Sequence, residues 1–304
     1  MPLTVLLCKS FLPDSFEPRE INDNAVVKMK IIGNVLLILI AAATLIIVLG
    51  QGTTMTGKNA ASLANDFSWK GHVESGQVVE IKGVHGNIRA ESTSGREVEV
   101  MAAKAGPKGG TSSVDIRVVE HRDGVTICAL YPTIDANQPH VCTPSGGERE
   151  FDNLGMVFFR NTDVSVDFVV RVPAGVRFVG RTLKGQVEAA SLKSDIEAFT
   201  INGDVRVSTE GNLTARSMTG SIDASLAGTD WTRPVDLQTV NGDIRVALPN
   251  GANTSVRAET SSGRITSDFP LTVQEKRVNG VIGNGAGTLR LKTETGSIRL
   301  QRAP

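Results

Sequence analysis

Two carboxylates occupy equivalent places in a repeated phrase of this sequence and are the first candidates for chemistry. Asp204 and Asp243 each follow an Asn-Gly pair and precede a short alternating run. Two carboxylates on neighbouring repeats could hold a cation or share acid–base work. Asp after Asn-Gly also suits a tight turn, and Arg206 and Arg245 lie two residues further on in each case. We therefore expect solvated ion pairs at these positions rather than a catalytic pair.

The remaining candidates for a reaction centre are weak. The histidines His72, His85, His121 and His140 are scattered without metal-ligand spacing, and the sequence contains neither G-x-S-x-G nor GxxxxGK[ST]. We predict that the protein is not an enzyme and has no catalytic residue, metal or cofactor. The formal net charge is zero and aromatic residues make up 4% of the chain, so nucleic acid is not expected as a partner.

Two of the cysteines lie well beyond the N-terminal region. Cys128 and Cys142 lie fourteen residues apart, and Cys8 is the other cysteine of the chain. In an oxidising compartment the pair would form a disulfide worth about 3 kcal/mol through loop closure. The alternative is two independent buried thiols. We predict the disulfide.

An eight-residue phrase centred on glycine recurs through the second half of the chain. Its copies are TLKGQVEA (182–189), TINGDVRV (200–207), SMTGSIDA (217–224), TVNGDIRV (239–246), TSSGRITS (260–267), RVNGVIGN (277–284) and TETGSIRL (293–300). Glycine suits a turn, and the alternation after it predicts a strand with Val205 and Val207 on a buried face. The predicted structural turns are Gly185, Gly203, Gly220, Gly242, Gly263, Gly280 and Gly296.

Recurrence about every twenty residues is typical of stacked repeats. The sequence predicts an all-β protein with a β-solenoid, similar to a right-handed parallel β-helix. An antiparallel β-sandwich, in which the same turns close hairpins, is the alternative, but the constant orientation of the phrase favours the solenoid. Ser261 and Glu294 occupy the place where Ile201 and Val240 are predicted to point inward. Glu294 lies in the last copy and is predicted to cap the terminal coil.

An apolar segment near the N-terminus is long enough to cross a bilayer as a helix. Lys28 and Lys30 precede it, so the rest of the chain is expected outside the cytoplasm. We favour an uncleaved anchor, and a cleaved signal is the alternative. The predicted parts are a cytoplasmic or spurious segment (1–28), a transmembrane anchor or signal helix (29–50, with its membrane-embedded run at 31–49), a polar linker (51–74) and an exported β-solenoid domain (75–304) with a loop insertion near 131–153.

The run VSVDFVVRVPAGVRF (164–178), followed by repeated T-x-x-G-x-[IV] phrases, resembles the bacterial putative-adhesin domain family. The resemblance covers roughly 75–300 and is carried by the repeat. It implies a membrane-tethered or secreted β-solenoid of unknown function. It supplies no functional residues.

These observations favour a non-enzymatic cell-envelope protein that presents a rigid, adhesin-like surface to a protein or glycan. The expected partners are the membrane, through residues 31–49, and an unknown envelope protein or glycan. The body is expected outside the cytoplasm, in the periplasm or at the cell surface, or secreted after signal cleavage. One alternative is an envelope-sensing module that signals through its anchor. Another is a carbohydrate-active β-helix enzyme, which would need at least two acidic residues on neighbouring coils.

Overall fold

The computed structural model describes residues 66–107, 110–135, 137, 139–144, 159–160, 163–229 and 231–303. These residues belong to one compact unit, Ser62–Pro304. The predicted segments 1–28 and 29–50 lie outside the described residues. Within the described ranges, no helix is long and apolar enough to span a membrane.

The described residues form 21 strands in two sheets and one short 3-10 turn at Thr111–Ser113. Sheet A contains, in spatial order, β1 (Phe67–His72), β4 (Glu97–Ala105), β7 (Ser165–Pro173), β3 (Ile88–Thr93), β9 (Val187–Leu192), β11 (Val205–Thr209), β13 (Ile222–Leu226), β15 (Ile244–Leu248), β21 (Ile298–Arg302) and β17 (Ile265–Ser267). Sheet B contains, in spatial order, β18 (Val273–Gln274), β19 (Arg277–Ile282), β16 (Thr254–Ser262), β20 (Gly287–Thr295), β14 (Val235–Asn241), β12 (Leu213–Thr219), β10 (Ile196–Asn202), β8 (Arg177–Lys184), β2 (Val78–Lys82), β6 (Gly124–Leu130) and β5 (Asp115–His121).

Each repeat forms one coil with a strand in sheet B, a glycine corner and a strand in sheet A. Neighbouring coils pair in parallel through both sheets, as β10 with β12 and β11 with β13. The fold is therefore β-solenoid-like, and the antiparallel sandwich is wrong for the repeats. Antiparallel pairs occur towards the ends, where β1, β4 and β7 pair in series, β5 pairs with β6, and β19 pairs with β16 and β18.

The first strand lies within the stretch predicted to be a polar linker. In β1 (FSWKGH), half-buried residues alternate with exposed ones, and Phe67 and Trp69 pack against the core. This alternation gives the segment one face that sheet A can cover. Residues 67–72 consequently pair with β4 as an edge strand instead of remaining a spacer.

The core consists of apolar rows that run across the coils. Val205, Ile222 and Ile244 stand in register on β11, β13 and β15, and each is fully buried. Val207 also points inward, so the predicted buried face of the repeat is confirmed. Strands this short bury enough apolar surface only because the coils above and below continue each row.

Glycine corners stack directly on one another at the junction of the two sheets. The column contains, in spatial order, Gly86, Gly185, Gly203, Gly220, Gly242, Gly296 and Gly263. A Cβ atom on Gly203 would lie 1.9 Å from the carbonyl oxygen of Gly185, and one on Gly220 would lie 1.9 Å from the carbonyl oxygen of Gly203. Only glycine permits backbones to approach this closely.

The first residue of the phrase points inward and binds the glycine column. Thr200 Oγ1 donates to the carbonyl oxygen of Gly185 at 2.9 Å, and Thr239 Oγ1 donates to that of Gly220 at 2.8 Å. The same bond is made by Thr182, Ser217, Thr260 and Thr293 to Gly86, Gly203, Gly296 and Gly242. All six hydroxyl residues are buried. Each hydroxyl satisfies a glycine carbonyl of the neighbouring coil.

The second residue of the phrase points outward, contrary to the prediction. Val240 is 42% exposed, and Ile201 is only half-buried. The inward place is taken by the threonine before it, whose hydroxyl has a partner inside. Ser261 and Glu294 therefore fill an outer position, where the Ser261 hydroxyl donates to Glu294 at 2.6 Å.

The coils do not stack in the order of the sequence. The last coil, β20–β21, lies between the β14–β15 coil and the β16–β17 coil. Glu294 is consequently not in the terminal coil, and the predicted cap is wrong. At the other end, the β2–β3 coil lies between the β6–β7 strands and the β8–β9 coil.

Gly280 also departs from the prediction. Its phrase belongs to β19, which pairs antiparallel with β16 so that Gly280 faces Val256. A Cβ atom there would meet the side chain of Leu271, not another glycine. The chain leaves the coil after β17 and forms the β18–β19 hairpin against β16, so this copy of the phrase lies inside a strand instead of at a corner.

Replacing Gly203 with alanine should destabilise the protein by about 3 kcal/mol, because the new methyl group would overlap the Gly185 carbonyl in a tightly stacked column. Gly251→Ala is the matched control, since its nearest neighbour would be Thr229 Cγ2 at 3.9 Å. Urea unfolding measures both variants. Equal unfolding midpoints for the two variants would contradict the column.

Thr239→Val should lower the free energy of unfolding by about 1–2 kcal/mol, because it leaves the Gly220 carbonyl without its hydroxyl donor. Thr239→Ser keeps the donor, as Ser217 does naturally one coil away. We expect Thr239→Ser to unfold near the wild-type midpoint. A valine variant as stable as the serine variant would show that the hydrogen bond has no net effect.

Candidate interaction surfaces

The structure separates the two candidate carboxylates. Asp204 and Asp243 lie two coils apart, with Ser221 in the coil between them, so about 10 Å separates them along the stack. Asp204 is 2.9 Å from Arg206 and accepts the Ser221 N–H at 2.9 Å.

Asp243 has the same environment two coils further along. It is 3.2 Å from Arg245 and accepts the N–H of Ser297 at 2.8 Å. Each carboxylate thus links one coil to the next and is balanced by an arginine. The arrangement provides neither a shared cation site nor an acid–base pair.

A row of alternating charges crosses the outer face of sheet A. We call Arg89, Glu188, Arg206, Asp223 and Arg245 the charge row; they stand opposite one another on β3, β9, β11, β13 and β15. Arg206 lies 3.3 Å from Glu188, and Arg245 lies 3.2 Å from Asp223. These pairs are largely solvent-exposed and add about 0–1 kcal/mol each. Their main effect is a regular, nearly neutral surface.

A shallow groove runs beside the charge row. Small side chains, among them Ala190, Ser208 and Ser225, line it together with the charge row, and its volume is about 380 Å³. None of its lining residues is aromatic. The groove therefore combines small side chains with a row of charged ones, and its lining has no aromatic ring on which a ligand could stack.

Aliphatic side chains form a second row at the glycine corner. Leu183, Ile201, Met218 and Val240 occupy the second place of the phrase in four successive coils, and we call them the apolar row. Met218 and Val240 are exposed, whereas Leu183 is half-buried and packs against the core. Apolar side chains aligned on an outer surface commonly mark contacts with another protein.

The outer face of sheet B carries a buried charge cluster near β2, β6 and β8. Glu80 accepts from Arg181 at 3.1 Å and from Thr126 at 2.9 Å. The guanidinium of Arg181 lies 4.2 Å above the ring of Phe199. The side chains of Glu80 and Arg181 are only 3% and 4% exposed, so this ion pair is costly to break.

The predicted cysteine pair fastens a loop beside this cluster. Cys128 on β6 is joined to Cys142 by a disulfide, with Cα atoms 5.6 Å apart. Lys82 Nζ donates to the carbonyl oxygen of Thr143 at 2.6 Å. The described part of the predicted 131–153 loop is thereby held to the outer face of sheet B.

Tyr131 and His140 anchor the same loop from within. The Tyr131 hydroxyl donates to the carbonyl oxygen of Val164 at 2.8 Å, and burial raises the pKa of this phenol. The Tyr131 N–H donates to His140 Nδ1 at 3.2 Å, and the imidazole packs on Phe159 with ring centroids 4.9 Å apart. Burial, with a smaller effect from Lys82, lowers the pKa of His140 to about 4.

The described residues contain no group of three or more His, Cys, Asp or Glu side chains that could hold a metal. His121 contacts Thr126 at 3.2 Å, whereas His140 belongs to the loop. The six stacked glycines among the predicted turns are structural, and Gly280 lies in a strand.

These features define a β-solenoid-like domain of two sheets with patterned outer faces. The family model of the Toastrack DUF4097 domain matches residues 181–301, which contain the stacked coils from β8 onward. Over this part, the resemblance to a putative-adhesin domain family is confirmed. No curated protein matches the chain.

Two solved structures are similar to the chain. One is a putative cell adhesion protein from Clostridium sporogenes, with 9% identity, a TM-score of 0.39, and coverage of 78% of this chain and 99% of the other. The second is a putative adhesin from Bacteroides fragilis, with 14% identity, a TM-score of 0.34, and coverage of 77% and 96%. At these values neither likeness bears on the function of this chain.

The charge row and the inward threonines were not singled out by the sequence patterns, although the repeat contains a signal for both. The first place of the phrase is Thr or Ser in six copies, whereas the second varies from Leu to Glu. A place that keeps its hydroxyl while its neighbour varies indicates an inward role for the hydroxyl.

Titration should show that His140 stays neutral well below the usual range. Its folded-state pKa of about 4 lies below the ordinary 6.5, so its stabilising effect is full above pH 6.5 and is lost as the pH falls towards 4. Protonation would also remove the acceptor of the Tyr131 N–H. NMR of histidine-labelled protein, assigned with His140→Gln, should give a midpoint near 4. A midpoint near 6.5 would contradict this environment.

Proposed function

We propose that this chain is a non-enzymatic envelope protein whose solenoid presents a rigid surface to a partner. The observation that carries the proposal is the alignment of outward side chains in successive coils. The charge row, the groove and the apolar row extend along the same stack. The charge row alternates in sign and so repeats every two coils, and a partner that fits two neighbouring coils meets nearly the same chemistry on the next two. Weak contacts therefore add along the surface.

The chemistry of this surface favours a protein over a glycan as partner. The apolar row is aliphatic, and the groove lacks the aromatic side chains that sugars stack on. The charge row is nearly neutral, since acidic residues separate its arginines. A protein with polar and aliphatic side chains matches both rows.

We propose no reaction centre because the acidic residues that could form one are already paired with other side chains. A carbohydrate-active enzyme would need two available carboxylates on neighbouring coils. Asp204 and Asp243 are two coils apart and each is paired with an arginine. Glu80 is buried and bound by Arg181 and Thr126.

A location outside the cytoplasm is part of the proposal. The Cys128–Cys142 disulfide is of the kind that persists in oxidising compartments. The apolar run at 31–49 would tether the body to the membrane, as its length and the preceding lysines indicate.

Site-specific photo-cross-linking in the producing cells tests the surface and the location together. A photoreactive residue replaces Met218 in the apolar row, Ser225 in the groove, or, as a control, Asp123 in the exposed β5–β6 turn. We expect a discrete cross-linked protein from the first two positions and none from Asp123. The full-length chain should sediment with membranes, and protease added to spheroplasts should digest its body.

Equal cross-linking from all three positions would contradict a specific partner surface, as would no product from Met218 or Ser225. Met218→Asp should reduce the yield from Ser225 if one partner covers both rows. A chain protected from external protease would contradict the proposed location. A cross-link from Ser225 to a glycan instead of a protein would show that the partner is a glycan and would contradict the preference for a protein.

A further inference from the structure

Two arginines on the outer face of sheet B stand directly opposite each other, and neither side chain is paired with an acid. Arg257 on β16 pairs in register with Arg290 on β20, and both side chains are exposed. Neither makes an ion pair or hydrogen bond among the described residues, whereas the arginines of the charge row all do. Like charges opposite each other on adjacent strands destabilise a sheet. The opposition of Arg257 and Arg290 therefore adds no stability to the sheet, and both charges remain available to an anion.

The neighbouring acids are already engaged. Asp236, which stands opposite Arg290 on β14, accepts from Gln238 at 3.0 Å and lies 3.5 Å from Arg216. Glu259, two residues beyond Arg257, lies 2.8 Å from Arg277. The two guanidinium groups consequently face solvent with their donors available.

The surroundings of the pair supply further donors and room for a ligand. Asn279 on β19 stands opposite Arg257 on its other side. Ser255, Thr288 and Gly280 line the same depression, whose volume is about 340 Å³.

The charge distribution favours an anionic ligand at this end of the stack. Residues 254–303 contain eight Arg or Lys against four Asp or Glu, a net charge of +4 in a chain whose formal charge is zero. A guanidinium group binds carboxylates and phosphates through two parallel hydrogen bonds, and two such groups in register can hold one oxyanion from both sides.

We propose that Arg257, Arg290 and Asn279 form an oxyanion-binding site for an acidic glycan. The ligand group is a carboxylate or a phosphate carried on the sugar chain. The depression has no aromatic side chain, so the site would hold the charged group of the polymer and not stack on a sugar ring or a base. The site lies on sheet B and uses none of the residues of the charge row or the apolar row. A test of this site is therefore independent of the proposed partner surface.

Binding of defined polymers to the full-length protein in detergent tests the site. The probes are polygalacturonate, phosphate-substituted dextran and unsubstituted dextran, measured by calorimetry at low and high salt. The double variant Arg257→Gln/Arg290→Gln should weaken binding of the charged polymer about tenfold or more, and high salt should weaken it further. The control Arg117→Gln/Arg122→Gln removes the same charge at the other end of sheet B and should bind like the wild type.

The outcomes are distinguishable. Binding of polygalacturonate alone or of phosphate-dextran alone supports the site and identifies the ligand group. Binding no stronger than that of unsubstituted dextran overturns the proposal, and so does equal weakening by both double variants.

Thermal unfolding adds a readout that does not depend on the ligand. Removing the opposed charges should leave the melting temperature unchanged or raise it. A fall of several degrees would show a structural role for the arginines and overturn the proposal.

Discussion

The stack of coils depends on one contact, in which a buried hydroxyl donates to the carbonyl oxygen of a glycine in the adjacent coil. At each corner the glycine lets the two backbones meet, and its N–H donates to the next coil, as Gly203 does to Thr219 at 2.9 Å. The hydroxyl donates to the carbonyl oxygen of the glycine, as the Thr239 hydroxyl does to Gly220. Without the glycine the coils could not approach, and without the hydroxyl the approach would leave a polar group unpaired.

This contact also determines what the outer surface looks like. Because it sets every coil in the same register, equivalent side chains are superposed from coil to coil, and any preference at one place of the phrase becomes a row. Arg206 and Asp223 alternate on one face, and Met218 and Val240 line the corner. On sheet B the same register places Arg257 opposite Arg290.

The local geometry of the repeat was predictable, because it follows from short-range rules. Glycine before an alternating run correctly indicated the corner and the buried positions of Val205 and Val207. The inward Thr200 was missed, since a period-2 pattern of hydrophobicity assigns polar residues to solvent unless a partner inside is known. The partner of Thr200 is a backbone carbonyl fifteen residues away in sequence, which no local pattern contains.

The arrangement of the coils and the composition of the sites could not be predicted in the same way. RVNGVIGN matches the phrase locally, yet its Gly280 lies in a strand because the chain turns back there as a hairpin. The opposed arginines become a pair only through the β16–β20 register, although they are 33 residues apart. The position of Gly280 and the opposition of the arginines both depend on which distant strands pair. Because the repeats are similar, each strand has several possible neighbours.

The position of the β20–β21 coil inside the stack has a consequence for biosynthesis. Until residues 287–302 have emerged, β14 and β15 present open edges, and β16 lacks its parallel neighbour. Assembly therefore cannot proceed simply from first coil to last during synthesis or export. The β20–β21 segment must insert between strands made before it, and until it does so their open edges could pair with the same segment of another molecule.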